Sequence, residues 1–313
     1  MTAIRAAVVG AGYLGRFHAQ KYAALDATEL VGVCDIDSTA GENLARECSS
    51  AYYRNHRDLL GQIDAVTIAA NTPAHFELAK FFLQNGVHVL VEKPMTNTSA
   101  QGRELAAIAE AGNLKLQVGH VERFNPALLA ARERLGAVQF IECHRLAPFK
   151  SRGADVNVVL DLMIHDLDVI LSLVSGAPSL VSAVGISVLT TSVDIANARI
   201  EFDDGAIANV TASRVSTSTQ RKFRVFQKQQ YLSIDFGDGE IQLVTHTGAL
   251  DEEQPKLTEE SWNLEKGDAL AAEVAAFVES IVEDTPCTVT GNDGVAALEL
   301  AEEIISDMER RKF

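Results

Sequence analysis

Five short apolar runs, with a stretch of helical character between each and the next, fill the first 119 residues, and this alternation constrains the fold more than any other feature. "IRAAVVGAG", "ELVGVCDID", "AVTIAA", "HVLVEKP" and "LKLQVGH" read as strands. Helices are predicted over "RFHAQKYAAL", "TAGENLARE", "AHFELAKFFLQN" and "TSAQGRELAAIAEAG", the last with Gly112 just past its end. Strands that alternate with helices at this spacing pair in parallel, beneath helices on both faces. A doubly wound parallel sheet over residues 1–119 is the expectation.

Past that point the period changes. "VQFIECHRLA", "PSLVSAVGISVL", "IANARIEFDDGAIANVTASRV" and "RKFRVFQKQQYLSIDFGDGEIQLV" alternate apolar and polar residues, with "DDG" and "GDG" as hairpin turns. The fold class predicted is therefore α/β, a Rossmann-type domain followed by an α+β domain with a large open, mostly antiparallel sheet over 120–290. Two helical segments follow the strands, "GDALAAEVAAFVESIVE" and "GNDGVAALELAEEIISDMERRK".

A net charge of −16 argues against general affinity for nucleic acid or an anionic membrane surface. The longest apolar stretches fall far short of the roughly 20 residues of a membrane span. "MTAIRAAVVGAG" enters a strand directly, without the pattern of a cleaved signal. Cys34, Cys48, Cys143 and Cys287 are scattered, with no metal-ligand spacing, and read as reduced thiols. A cytoplasmic protein without a bound metal is expected.

"VVGAGYLG" places Gly10, Gly12 and Gly15, with Tyr13 and Leu14 between, after the first strand and at the opening of a helix. Glycines there allow a tight turn and let the backbone approach a pyrophosphate, held by the helix N-terminus. Asp35 ends the second strand about twenty residues on, where an acid binds ribose hydroxyls and repels a 2′-phosphate. NAD is thus expected in preference to NADP. "VEKP" sets Glu92 and Lys93 at the carboxyl end of a parallel strand, where ligands bind in open α/β sheets; alone, the tripeptide is a common turn. "NTPAH", with Asn71, Thr72, Pro73 and His75, either starts a helix or lines the dinucleotide groove. "GHVERFNP" offers Arg123 and Asn125 as donors to cofactor or substrate, with Phe124 between them, or forms a hydrogen-bonded hinge.

"VNVVLDLMIHDLDVILSLVSG" reads as one nearly all-apolar helix, yet Asp161, His165, Asp168 and Ser172 recur on it at spacings of four, three and four. Such residues share one face. Either the Asp161–His165 pair is satisfied internally or it forms a reactive stripe.

Taken in order, GAGYLG, Asp35, NTPAH, EKP and the D-x-x-x-H of Asp161 and His165 resemble the glucose–fructose oxidoreductase/inositol dehydrogenase/MocA superfamily, across nearly the whole chain. The resemblance implies that Lys93, Asp161 and His165 face nicotinamide and sugar, with NAD as cofactor. It further implies that the final helix, 291–313, packs back on the first domain, and that the bond before Pro94 is a candidate for cis geometry. "DVNVVLDLMIHD" replaces the Gly-rich run that many members carry before the Asp. That stretch and "GHVERFNP" look most like members that oxidise carbon 3 of UDP-N-acetylglucosamine-type sugars. Arg152, or Arg214, Arg221, Lys222 and Arg224, would then supply donors for a diphosphate. Dehydrogenation of a free sugar or inositol, and a non-catalytic NAD-binding regulator, are the other readings. A homodimer or homotetramer is expected, because an open apolar sheet face invites association.

Overall fold

The computed structural model describes residues 3–150, 156–249, 256–264 and 267–311. In the first part, the apolar runs become β1 (Ile4–Val9), β2 (Thr28–Cys34), β4 (Ala65–Ile68), β5 (His88–Glu92) and β6 (Leu116–Gly119). Between them run α1 (Tyr13–Ala24), α2 (Ser38–Glu47), α3 (Thr72–Gln84) and α4 (Ser99–Ala111). A sixth strand, β3 (Ala51–Tyr53), pairs with β2 at the sheet edge. Its three residues, none of them buried, are too few to show a period, which is why the sequence conceals it.

All pairings in this sheet are parallel, in the order β3-β2-β1-β4-β5-β6. The order reverses between β1 and β4. That reversal leaves a crevice beyond the carboxyl ends of the two strands, the place where open α/β sheets take their ligands.

The second sheet has eight strands: β7 (Val138–Leu146), β8 (Pro178–Ile186), β9 (Ile195–Phe202), β10 (Ile207–Ser213), β11 (Gln220–Gln227), β12 (Gln230–Asp235), β13 (Glu240–His246) and β14 (Leu257–Asn263). Its order is β14-β13-β12-β11-β7-β10-β9-β8, and only β7 and β10 run parallel. DDG closes the β9–β10 hairpin and GDG the β12–β13 hairpin, as their turn chemistry predicts. Ile141, Val210, Phe223, Val225 and Leu232 bury one face of this sheet. They form one core with Leu128 of α5 (Pro126–Arg132) and Leu167 and Ile170 of α6 (Ile164–Leu173).

The domain boundaries need correction. One unit comprises Met1–Val121 with Asp268–Ala296, and the other Glu122–Gly267 with Ala297–Phe313. The helix that returns to the first sheet is α7 (Ala269–Val282), not the last one. Val274 and Val278 join Val8, Tyr22 and Val33, and Phe277 packs with Ala65 and Leu90. Only the opening of α8 (Gly291–Arg310) belongs there; Leu300, Ala301, Ile304 and Met308 lie in the core of the second unit. Both helices carry an apolar face, and periodicity does not say which core a face will enter. Among the described residues no helix is long and apolar enough to cross a membrane, and the four cysteines are free.

Candidate active site

In the first unit the glycine turn is shaped by what surrounds it. Gly10 adopts φ +104°, and a Cβ on it would lie 2.6 Å from the Ala69 carbonyl oxygen. A Cβ on Gly15 would lie 1.7 Å from the Gly10 oxygen, so helix and turn close onto each other only without side chains there. Gly12 is different: a Cβ there meets open space. It is also the N-cap of α1, which has neither a side-chain cap nor an acid in its first turn. A helix N-terminus with no acid in its first turn suits a bound anion such as a pyrophosphate. Tyr13 is exposed and packs edge-on to Phe17, ring centroids 5.0 Å apart; Leu14 is half-buried.

A cavity of about 460 Å³ opens beside this turn, lined among others by Gly10, Gly12, Asp35, Arg54, His56 and Asn71. Asp35 sits at the end of β2 with its carboxylate aimed at the turn. The Ala11 N–H donates to Oδ2 at 2.5 Å and the Asp37 N–H to Oδ1 at 2.8 Å. The glycine cradle, the uncapped helix and the carboxylate together fit an adenosine dinucleotide. Cys34 also borders the cavity. Burial, reinforced by the Asp35 and Asp58 charges, pushes its thiol up to about 12, so it is no nucleophile at neutral pH. Arg54 and His56 are lining residues that the sequence reading missed, since they follow the unseen strand β3.

The NTPAH residues divide. Asn71 is the N-cap of α3 and borders the cavity, while Thr72 and Pro73 begin the helix. His75 does not line the groove. It is buried, with Nδ1 3.0 Å from the Pro94 carbonyl and Nε2 2.9 Å from that of Ala70, and so ties α3 to the E-K-P turn. The Lys93–Pro94 bond is cis. Glu92 is buried, its Oε1 2.7 Å from His18 Nε2, and its Oε2 accepts the Lys93 N–H at 3.2 Å. Lys93 itself is half-buried at the end of β5.

In the second unit, Arg123, Phe124 and Asn125 turn inward rather than offering open donors. Arg123 is buried, with Nη1 3.5 Å from Asp168 Oδ1. Phe124 is buried as well. Asn125 caps α5 by accepting the Ala127 N–H at 3.0 Å, and its amide donates to Glu122 Oε2 at 3.1 Å. Arg152 lies outside the described residues. Arg214 is buried beside Asp194 and donates to the Val156 and Val193 carbonyls, so it does not stand open to a diphosphate. Arg221 is nearly half exposed and reaches within 3.8 Å of Glu122.

The predicted helix around Asp161 is not uniform. Val159–Met163 form a π-helical turn that passes into α6. Wider turns of this kind occur often at functional sites. The Asp161 N–H donates to the Asn157 carbonyl at 3.0 Å, and Asn157 Oδ1 accepts from Val159 N at 3.0 Å. Asp161 and His165 are half-buried, so both keep some access, whereas Asp168 is buried against Arg123. Ser172 donates to the Val169 carbonyl of its own helix at 2.7 Å. The stripe of four therefore splits into an accessible Asp161–His165 end and a structural Asp168–Ser172 end.

Known proteins resemble both parts of the chain. A family model described as an oxidoreductase family with an NAD-binding Rossmann fold matches residues 4–120. The C-terminal domain model of the same Gfo/Idh/MocA group matches residues 128–233. The chain is 37% identical over 305 residues to UDP-N-acetylglucosamine 3-dehydrogenase of Acidithiobacillus ferrooxidans, covering 97% of each. A solved structure of that enzyme superposes with a TM-score of 0.93 over 99% of both chains. Inositol 2-dehydrogenase of Rhizobium meliloti is 25% identical over 346 residues, covering 99% of this chain and 98% of its own. Scyllo-inositol dehydrogenase from Lactobacillus casei, solved with NAD(H) and scyllo-inositol, shares the fold at 20% identity and a TM-score of 0.83, over 99% of this chain and 98% of its own.

Proposed function

The chain belongs to the Gfo/Idh/MocA family of NAD-binding oxidoreductases, and on that premise we propose that it oxidises carbon 3 of a UDP-N-acetylglucosamine-type nucleotide sugar to the 3-keto sugar. The observation that carries the reading is the 37% identity to a UDP-N-acetylglucosamine 3-dehydrogenase over 97% of both chains. The cofactor is NAD, which when bound supplies the hydride acceptor. Gly10, Gly12 and Gly15 admit its pyrophosphate, and Asp35 receives its ribose hydroxyls.

The chain's own residues handle the proton. Loss of hydride from a secondary alcohol leaves a hydroxyl proton that needs a base with pKa near neutrality, and His165 suits that role. Asp161, in the π turn before it, orients the ring or accepts from a neighbouring hydroxyl. Lys93 stabilises the developing alkoxide as a preorganised positive charge. The half-buried positions of all three support these roles. Leu180, Val184 and Ile186 expose one face of the edge strand β8, which supports assembly as a homodimer or homotetramer. A cytoplasmic location suits a soluble nucleotide-sugar substrate.

The decisive measurement is NADH formation by the purified protein with UDP-N-acetylglucosamine, N-acetylglucosamine and myo-inositol in parallel, with the product identified by NMR. Turnover of the UDP-sugar alone, giving a 3-ketone, supports the reading. Preference for myo-inositol would move the enzyme to the polyol dehydrogenases. NAD binding without any sugar oxidation would make it a regulator. Lys93→Met should cut turnover by roughly a hundredfold, the scale of losing one electrostatic donor.

A further inference from the structure

Three ionisable side chains meet in the interior of the first unit, and none belongs to the glycine turn or its cavity. His18 of α1 and Glu273 of α7 are fully buried, and Glu92 at the end of β5 is 7% exposed. One imidazole nitrogen or carboxylate oxygen from each lies within 4.8 Å of the other two. Apolar side chains would fill such a place at less cost in desolvation, because buried ions gain little net stability over a packed hydrophobic isostere. Ionisable groups kept in such a place point to a role for the charge itself.

The chain of contacts leads to Lys93. His18 Nε2 holds Glu92 Oε1 at 2.7 Å, and the other oxygen of that carboxylate accepts the Lys93 N–H at 3.2 Å. Glu92 has little freedom to turn. A Cβ on Gly119 would already lie 3.0 Å from Oε2, so the carboxylate fills the space beside β6. α7 is anchored across the same place, with the Gln117 side chain donating to the Glu273 carbonyl at 3.0 Å. Burial on its own would push the Glu92 carboxyl up; the hydrogen bond and charge of His18, with the charge of Lys93, outweigh it and hold Glu92 below its ordinary value. Glu92 is therefore an anion, and an adjacent anion favours the ammonium form of a lysine. Tyr22 of α1 feels the Glu273 charge from the same interior, and its hydroxyl is 2.9 Å from Thr67 Oγ1 of β4.

We propose that His18 is a positioning residue for Lys93: it keeps Glu92 ionised and fixed, and through Glu92 it sets the charge state and placement of the lysine. The proposal rests on Lys93 being the alkoxide-stabilising donor, but its test does not depend on knowing the sugar. Without the imidazole, the buried Glu92 takes up a proton, and Lys93 loses the anion that favours its ammonium. The free amine then appears at lower pH.

The test compares wild type with His18→Leu, His18→Gln and Glu92→Gln, each first checked for NAD binding and a cooperative melt. The rate of Lys93 acetylation by acetic anhydride is read by mass spectrometry across pH, since only the neutral amine reacts. The midpoint should fall by roughly one pH unit in His18→Leu and in Glu92→Gln. It should recover partly in His18→Gln, whose amide N–H still donates to Glu92. Turnover of UDP-N-acetylglucosamine should drop at least tenfold in His18→Leu, with NAD affinity within about twofold of wild type. If His18→Leu does not fold, Glu92→Gln decides, because it keeps the shape of the site. Midpoints that do not move in the folded variants would overturn the proposal and leave the cluster a packing feature. If the wild type oxidises no sugar tried, the acetylation midpoints still decide the role of His18 while the enzymatic reading falls separately. A Zn²⁺-induced rise in wild-type melting temperature that is lost in His18→Leu would also overturn it, making the three residues a metal site.

Discussion

Arg145 grips Asp166 through two parallel hydrogen bonds, Nε to Oδ2 at 2.9 Å and Nη2 to Oδ1 at 2.8 Å, one residue past His165. The remaining arm of the guanidinium donates to Glu122 Oε1 at 2.9 Å. All three side chains are buried, so β7 and the first turn of α6 are locked by a desolvated network. Arg145→Met alone strands the buried Asp166 carboxylate, takes the guanidinium from Glu122, and should cost about 3–5 kcal/mol in urea unfolding. Adding Asp166→Leu and Glu122→Gln should recover much of that loss. A single variant that unfolds at the wild-type midpoint would show the network to be dispensable.

Gly10 and Gly12 should separate folding from binding. A side chain on Gly10 collides with the Ala69 backbone at a positive φ, whereas one on Gly12 points into open space at φ −74°. Gly12→Val should melt within a few degrees of wild type yet weaken NAD binding at least tenfold, about 1.4 kcal/mol. Gly10→Val should lower the melting temperature itself. Calorimetry and thermal melts on the two variants check this, and an unaltered NAD affinity in Gly12→Val would move the pyrophosphate elsewhere.

Asp35 should set cofactor choice. Its carboxylate borders the cavity and carries the negative charge that a 2′-phosphate must approach. NAD should bind at least tenfold tighter than NADP, and Asp35→Ala should narrow the gap. Equal affinities for the wild type would remove Asp35 from the ribose.

Asp194 gives the fold an acid-sensitive point. Burial would raise its carboxyl, but the N–H groups of Thr190, Leu189 and Val188 and the Thr190 hydroxyl all donate to it and hold it well below the carboxylate range. A depressed folded pKa means stability present in full above the unfolded value of about 4 and lost as pH falls below it. Asp194→Asn should therefore melt several degrees lower at neutral pH, and the gap should close below about pH 4. A pH-independent gap would assign the loss to packing instead.

The alternation of strand and helix was legible because each run is long enough to show its period, as "HVLVE" and "AHFELAKFFLQN" do. β3 was not, having only Ala51–Tyr53 to declare itself. The glycine turn and the place of Asp35 at the end of β2 could be read because glycine and acid sit at positions that backbone geometry alone demands. Arg123 and Asn125 could not be placed. Whether a guanidinium faces a ligand or a carboxylate depends on Asp168, 45 residues away. Arg145 and Asp166, 21 apart, were invisible for the same reason. The exchange of roles between α7 and α8 follows from tertiary packing of two similar apolar faces, and the π turn from a slip in hydrogen bonding that residue types do not announce.

That π turn bears on the last prediction. Asp161 lies within it and His165 on the regular helix after it, so their angular offset is not that of a plain i, i+4 pair. Both remain half-buried, unlike Asp166 and Asp168. If His165 is the general base, kcat/KM for oxidation should rise through an inflection near pH 6–8, where an imidazole loses its proton. His165→Ala should abolish the inflection and slow oxidation by about 10²–10⁴-fold while NAD affinity is kept. Asp161→Asn should leave a smaller defect and keep the inflection, since it alters an orienting or hydroxyl-accepting group and not the proton acceptor. A purely structural pair behaves otherwise: both substitutions would lower the melting temperature, and the pH profile would survive. An intact profile in folded His165→Ala would therefore return the pair to packing and move the base to another side chain.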